Sequence, residues 1–103
     1  MSDIIEVTEG VRYQTSDETR VYTITTTKLV SSPTSPTAVV YDESVDEDVT
    51  ATVMPSGSHS VSGDVITLKP LTALTQDHSY RVEFKFTVGA NIFERYFRVR
   101  CIK

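Results

Sequence analysis

The chain has 103 residues, of which 39% are hydrophobic and 23% are charged, and its formal net charge at pH 7 is −4. This length fits one domain, and the lack of an apolar run near 18 residues argues against a membrane-spanning helix. A single cysteine, Cys101, excludes an intrachain disulfide. The first six residues show neither a basic nor an apolar leader region, so we expect no signal peptide and a chain kept in the cytosol.

Short runs rich in Val, Ile, Thr, Tyr and Phe alternate with Gly, Pro, Ser and Asp, a pattern that predicts an all-β chain. Pro33 and Pro36 lack an N–H group and therefore predict a loop after the second strand. Gly10 predicts a bend within the first strand. We expect seven strands, at residues 4–8 with an extension near 11–13, then at 19–30, 37–42, 49–54, 61–68, 80–88 and 92–102.

The sixth predicted strand has the clearest alternation of apolar and polar side chains. Its inward face is Tyr80, Val82, Phe84, Phe86 and Val88, and its outward face is Arg81, Glu83, Lys85 and Thr87. Residues 89–91 predict a hairpin into the last strand. There we expect a bulge near residues 94–95, so that Phe93 and Phe97 both pack inward. Cys101 falls on the same inward face and is expected to be a small buried hydrophobe.

A turn with the sequence LTALTQDHS leads into Tyr80, which opens the alternating strand. Residues 71–86 resemble the tyrosine corner of fibronectin type III and related immunoglobulin-like domains. In that motif a buried tyrosine returns its hydroxyl to the upstream backbone. The resemblance implies an all-β, immunoglobulin-like seven-strand Greek-key sandwich of two antiparallel sheets, with residues 1–103 forming a single domain.

An acidic loop offers the densest group of carboxylates, namely Asp42, Glu43, Asp46, Glu47 and Asp48. Such a loop can bind Ca²⁺, but its spacing does not match an EF-hand and it lacks the central glycine. A solvated loop that keeps a sheet edge from pairing is the simpler interpretation. His59 and His78 are expected to be exposed turn residues, and together with Cys101 they have no zinc-site spacing. No nucleophile and base can be paired, so we expect no enzyme, cofactor or metal site.

Basic residues concentrate on the last two predicted strands. If Arg81, Lys85, Arg98 and Arg100 point outward, one sheet has a positive face that could contact another protein, because arginine is favoured at interfaces. Cross-strand pairing of these bases with Glu83 and Glu94 is the alternative. The acidic net charge argues against nucleic-acid binding. No feature predicts a membrane or small-molecule partner.

The segments IEVTEG (residues 5–10), DVTATVMP (48–55) and GANIFERYF (89–97) resemble small proteins encoded among the structural genes of tailed bacteriophages and prophages. The resemblance implies a structural virion component, such as a head-decoration, neck or tail subunit, assembled in the host cytoplasm. Its expected partners are other virion proteins and copies of itself, contacted through the basic face and the acidic loop. The alternative is a carbohydrate- or cell-surface-binding adhesion module, with Tyr41 or Tyr96 stacking on sugar.

Overall fold

The structure is a computed structural model that describes residues 5–6, 11–26 and 32–103, with the first pair described by backbone alone. Strands dominate this part of the chain, which confirms the all-β prediction. The helix α1 is a single turn at Thr50–Val53. The strands are β1 Ile5–Glu6, β2 Arg12–Gln14, β3 Thr23–Thr25, β4 Thr34–Asp42, β5 Glu47–Asp48, β6 Ser60–Ser62, β7 Val65–Thr67, β8 Ser79–Val88 and β9 Asn91–Cys101.

These strands form two sheets. The large sheet has the order β1–β9–β8–β4–β5, with β2 also paired to β9, and the small sheet has the order β3–β7–β6. One buried apolar cluster draws on both sheets, and the Tyr22 and Phe97 rings meet across it at a centroid distance of 5.3 Å. The two sheets therefore form a β-sandwich.

The expectation that both sheets are antiparallel is wrong for the large sheet. β1 and β2 run parallel to β9, whereas the pairs β9–β8, β8–β4 and β4–β5 are antiparallel. Parallel neighbours need a long connection rather than a hairpin. Here the connection is nearly the whole chain, because all the other strands and α1 lie between β2 and β9 in the sequence.

The β8–β9 hairpin is the best-predicted element. Gly89 and Ala90 form its two-residue turn, and Gly89 has a φ of 58°, as the first position of a type II′ turn requires. The register runs without a shift from Val88–Asn91 to Ser79–Arg100, so the expected bulge is wrong. Arg95 makes the bulge unnecessary: its guanidinium lies 5.7 Å from the Phe93 ring centroid and donates to the Glu94 carbonyl. A long arginine can pack its stem inward and keep its charge outside.

The predicted tyrosine contact is present in the turn before β8. Tyr80 is 1% exposed, and its hydroxyl accepts a hydrogen bond from the Thr75 N–H at 2.6 Å. Leu71 and Leu74 from the same turn are also buried. The ring is thus fixed at both ends, by packing and by a backbone donor.

The fourth predicted strand, at residues 49–54, is wrong, because α1 forms there instead. The Asp48 carboxylate accepts hydrogen bonds from the Thr50 N–H and hydroxyl, which turns the backbone at this point. Val53 and Met54 are both buried although they are adjacent in sequence. A strand would have placed them on opposite faces.

Three further predicted boundaries differ from the structure. The fifth predicted strand is a hairpin, because the chain turns at Gly63, with a φ of 59°, between β6 and β7. Of the second predicted strand, residues 19–26 are described, and β3 is the strand found among them. Residues 27–30 of that prediction lie outside the described residues, as does Gly10. β4 begins at Thr34, inside the expected loop, and its irregular pairing between Thr34 and Thr37 accommodates Pro36.

Gln14 ties β2 to the rest of the sandwich. This side chain is 1% exposed, and its amide nitrogen donates to the Leu71 carbonyl at 2.9 Å and to the Glu18 carbonyl at 3.0 Å. Its amide oxygen accepts the Tyr22 hydroxyl at 2.9 Å. Since buried polar groups are costly when unpaired, this network holds β2 firmly. Cys101, which pairs with Gln14 in the sheet, is fully buried as predicted.

Candidate interaction surface

The outer face of the large sheet presents the outward side chains of β4, β8 and β9 in cross-strand rows. Paired residues on neighbouring strands point to the same face, so the register determines which side chains are neighbours. The three rows are Tyr41–Arg81–Arg98, Val39–Glu83–Tyr96 and Thr37–Lys85–Glu94. The structure therefore places all four predicted basic residues on this face, with Arg81 and Arg98 paired and Arg100 beyond them next to Ser79.

Tyrosine and arginine side chains are layered across the first two rows. The Arg81 guanidinium lies 5.6 Å from the Tyr41 ring centroid and 5.7 Å from that of Tyr96. The Arg98 guanidinium lies 5.4 Å from the same Tyr96 ring. Cation–π contacts at exposed sites contribute about 0.5–1 kcal/mol each. We call these four side chains the tyrosine–arginine stack.

Two carboxylates neutralise part of this stack. Glu43 accepts a hydrogen bond from Arg98 Nε at 3.0 Å, so the acidic loop and the basic face meet within one chain. Arg81 Nε lies 2.9 Å from Glu83 Oε2, but its N–H is not directed at that oxygen or at another described acceptor. Pairing with Glu83 on the same strand therefore accounts for Arg81, and pairing with Glu43 of the acidic loop accounts for Arg98.

Lys85 and Arg100 lie at the two ends of the basic face. Lys85 is exposed beside a shallow depression of about 180 Å³. Arg100 is exposed and donates to the Ser79 hydroxyl at 2.9 Å, and its sheet partner on β2 is Tyr13. The depression is lined chiefly by Thr37, Val39, Tyr41, Glu83, Lys85 and Glu94.

Asp42 does not belong to the accessible acidic loop, so its expected exposure is wrong. It is 4% exposed, and its carboxylate lies 2.7 Å from His78 Nδ1 and accepts the Ser44 N–H at 3.0 Å. His78 was expected to be an exposed turn residue, but it is half-buried and forms a hydrogen bond with this carboxylate. Buried carboxylates require such partners, so we assign Asp42 a structural role.

The remaining acidic residues are exposed at the end of β4 and on β5. Asp46, Glu47 and Asp48 all reach solvent. The Thr50 hydroxyl, and then the Thr50 N–H, hold the pKa of Asp48 below its ordinary value, because both donate to the ionised carboxylate. The sheet edge formed by β5 is therefore negatively charged.

His59 also has a structural contact. Its Nδ1 accepts the Lys69 N–H at 3.0 Å. Burial, and secondly the charge of Lys69, lowers the pKa of His59, so the neutral imidazole is favoured. Within residues 5–6, 11–26 and 32–103, no three His, Cys, Asp or Glu side chains gather as a metal-binding group. No helix in this part of the chain has the length and apolar character needed to cross a membrane.

Sequence reasoning missed Tyr13, which is 59% exposed and lies on β2 next to Arg100. The adhesion alternative assigns Tyr41 and Tyr96 to sugar stacking, whereas the structure places both rings against Arg81. The alternation of Tyr96 with Arg98 indicates that both side chains point to one face of the strand. Their contacts with Tyr41 and Arg81 follow only from the register of β9, β8 and β4.

Searches of protein-family models, curated proteins and solved structures found nothing that matches this chain.

Proposed function

We propose that this chain is a structural subunit that acts through protein–protein contacts, as a head-decoration, neck or tail component of a tailed bacteriophage particle. The tyrosine–arginine stack is the observation on which the contact function rests. Tyrosine and arginine are enriched among the residues that dominate binding energy at protein interfaces. The virion assignment rests on the resemblance of residues 5–10, 48–55 and 89–97 to phage structural proteins.

The stack is suited to binding because it is ordered before a partner arrives. Arg81 is held between two rings and beside Glu83, so little side-chain freedom remains to be lost. Lys85 and Arg100 supply charge at the periphery, where it affects partner choice and association rate more than affinity. Glu43 and Arg98 hold the acidic loop against the same surface.

We further propose that the sandwich is of the immunoglobulin-like Greek-key type. The small sheet order β3–β7–β6 corresponds to strands B, E and D of that fold. The large sheet order β9–β8–β4 corresponds to strands G, F and C. The Tyr80 hydroxyl contact with the Thr75 N–H further supports this type.

A carbohydrate- or cell-surface-binding module is the second candidate. The depression beside Tyr41 favours it, because an aromatic wall and the polar groups of Glu83, Lys85 and Glu94 surround a volume of about 180 Å³. Against it, the Tyr41 and Tyr96 rings already contact Arg81, so a sugar would compete with the guanidinium. Glycan-array binding that is lost in Tyr41→Ala would favour this candidate over the structural subunit.

Particle composition tests the virion assignment. Tailed particles would be purified after prophage induction of the strain that carries the gene, and their proteins quantified by mass spectrometry. We expect the chain in the particles in a fixed ratio to the major capsid or tail proteins. Its presence in the lysate but absence from purified particles would contradict the assignment.

A further inference from the structure

The β5 edge of the large sheet is acidic, and β2 at the opposite edge exposes the basic Arg12. We propose that copies of this chain associate edge to edge, with β5 of one copy beside β2 of the next, so that Glu47 faces Arg12 of the neighbour. This inference rests on the proposed function as a structural subunit and names one of its partners as a second copy of the chain. It uses a different surface from the tyrosine–arginine stack.

Glu47 and Arg12 lie in one row that crosses the whole sheet. Glu47 pairs with Asp42, Asp42 with Tyr80, Tyr80 with Val99, and Val99 with Arg12. Four strand spacings separate the two ends, or about 19 Å. Paired residues point to the same face of a sheet, so both side chains leave the sheet on the same side. A neighbouring sheet that continues this row therefore brings an acid to a base.

The strand directions are compatible with such a continuation. β2 is parallel to β9, and three successive antiparallel pairings lead from β9 to β5, so β2 and β5 run in opposite directions. A neighbouring β5 can thus pair with β2 as an antiparallel strand. Within the described residues, β5 pairs with β4 alone and β2 with β9 alone, so each has a second edge available for pairing.

The side chains at the two edges are complementary in more than one pair. Neither Glu47 nor Arg12 forms an ion pair with a described residue, and both are exposed. Asp46 and Asp48 extend the negative edge, while the exposed Arg100 and Lys103 lie at the β2 side. Each edge also has an exposed apolar group, Val45 at 48% and Tyr13 at 59%.

Both edges are held in place within the chain. Gln14 anchors β2 through three hydrogen bonds. At the other edge, the Val49 N–H donates to the Val40 carbonyl and the Thr50 hydroxyl accepts the Val40 N–H, which fixes the chain just after β5. Preformed edges reduce the ordering cost of association.

Charged, short edge strands often serve to prevent sheet-to-sheet pairing. That role is best served by like charges on both edges, which repel between copies. Opposite charges in the same row instead favour a head-to-tail contact between different surfaces. Such heterologous contacts close into rings or continue as filaments, according to the rotation between neighbours.

Sedimentation velocity of the full chain tests this inference at rising concentration and at two ionic strengths. About 0.01 M salt gives a screening length of about 30 Å, and about 1 M salt reduces it to about 3 Å. We expect oligomers at low salt that dissociate at high salt. Glu47→Lys or Arg12→Glu alone should weaken association about tenfold, because each places like charges together.

The combined Glu47→Lys and Arg12→Glu chain restores opposite charges, and so does an equimolar mixture of the two single variants. Both should associate again. Such a rescue would show that the single variants lose the contact between copies and not the fold. Glu94→Lys is a matched control reversal on the outer face, away from both edges, and should leave association unchanged. A wild-type monomer at millimolar concentration in low salt, or single reversals without effect, would overturn the inference. Either result leaves the mass-spectrometric test of the particle unaffected, so the two proposals can fail separately.

Discussion

The two faces of the β8–β9 hairpin have different residue types and different consequences. The inward face packs Tyr80, Val82, Phe84, Phe86 and Phe97 into the core. The outward face places Arg81 between two tyrosine rings. The Arg81 guanidinium is paired with Glu83, and its side chain is partly open to solvent. The inward residues therefore contribute most of the free energy of folding, whereas the outward residues contribute less and are available for binding. Substitutions on the two faces should separate these roles.

The largest expected effect is on the inward face. Phe86→Ala removes a ring that is 1% exposed and packs on Phe84 and Phe93 at centroid distances of 6.2 and 5.6 Å. We expect a loss of about 3–5 kcal/mol in the free energy of unfolding, measured by urea titration. Lys85→Ala, the adjacent outward change, should alter that free energy by less than about 0.5 kcal/mol. Equal losses of unfolding free energy in Phe86→Ala and Lys85→Ala would contradict the different roles of the two faces.

A smaller effect is expected where β8 begins. Tyr80→Phe keeps the buried ring but removes the hydroxyl that accepts the Thr75 N–H. We expect a loss of about 1–2 kcal/mol, since one partly buried donor loses its partner. Hydrogen exchange at the Thr75 amide should accelerate in the same variant. An unchanged exchange rate would mean that the hydroxyl contact does not hold this turn.

The smallest expected effect lies outside the hairpin and depends on pH. The pKa of Asp48 is lowered in the folded chain, so its contribution is present above the unfolded pKa and is lost as pH falls through the folded pKa. Asp48 is exposed, so Asp48→Ala should cost less than about 1 kcal/mol at pH 7. The difference from wild type should shrink below about pH 4. Urea titrations at pH 7 and pH 3 measure it, and a difference that grows at low pH would contradict this sign.

The hairpin was predictable because its sequence alternates over nine residues and pairs locally across a two-residue turn. Residues 49–54 misled the same reasoning, since Val49, Ala51 and Val53 alternate as a strand would. The local hydrogen bonds of Asp48 and the burial of neighbouring Val53 and Met54 determined a helical turn instead. Short apolar alternation does not distinguish the two conformations when a side-chain acceptor can stabilise a turn.

The sequence predicts which residues lie on the candidate surface, but it does not predict the contacts that they make. The outward direction of Arg81, Lys85, Arg98 and Arg100 follows from alternation alone. The pairing of Asp42 with His78 joins residues 36 positions apart, and that of Arg98 with Glu43 joins residues 55 apart. Both depend on the register of β4 against β8, which the sequence of either strand does not determine.

The most direct test of the outer face as a contact surface compares incorporation into tailed particles with stability in solution. The variant Arg81→Ala/Tyr96→Ala dismantles the tyrosine–arginine stack without touching the core, and Thr87→Ala is its control on the same face. We expect the double variant to lose about 1.5–3 kcal/mol of unfolding free energy, from its three cation–π contacts, and to stay folded. Its incorporation relative to wild type should fall about tenfold or more, as for a hot-spot residue. Incorporation at the wild-type level by a folded double variant would contradict the assignment of this face as the contact surface.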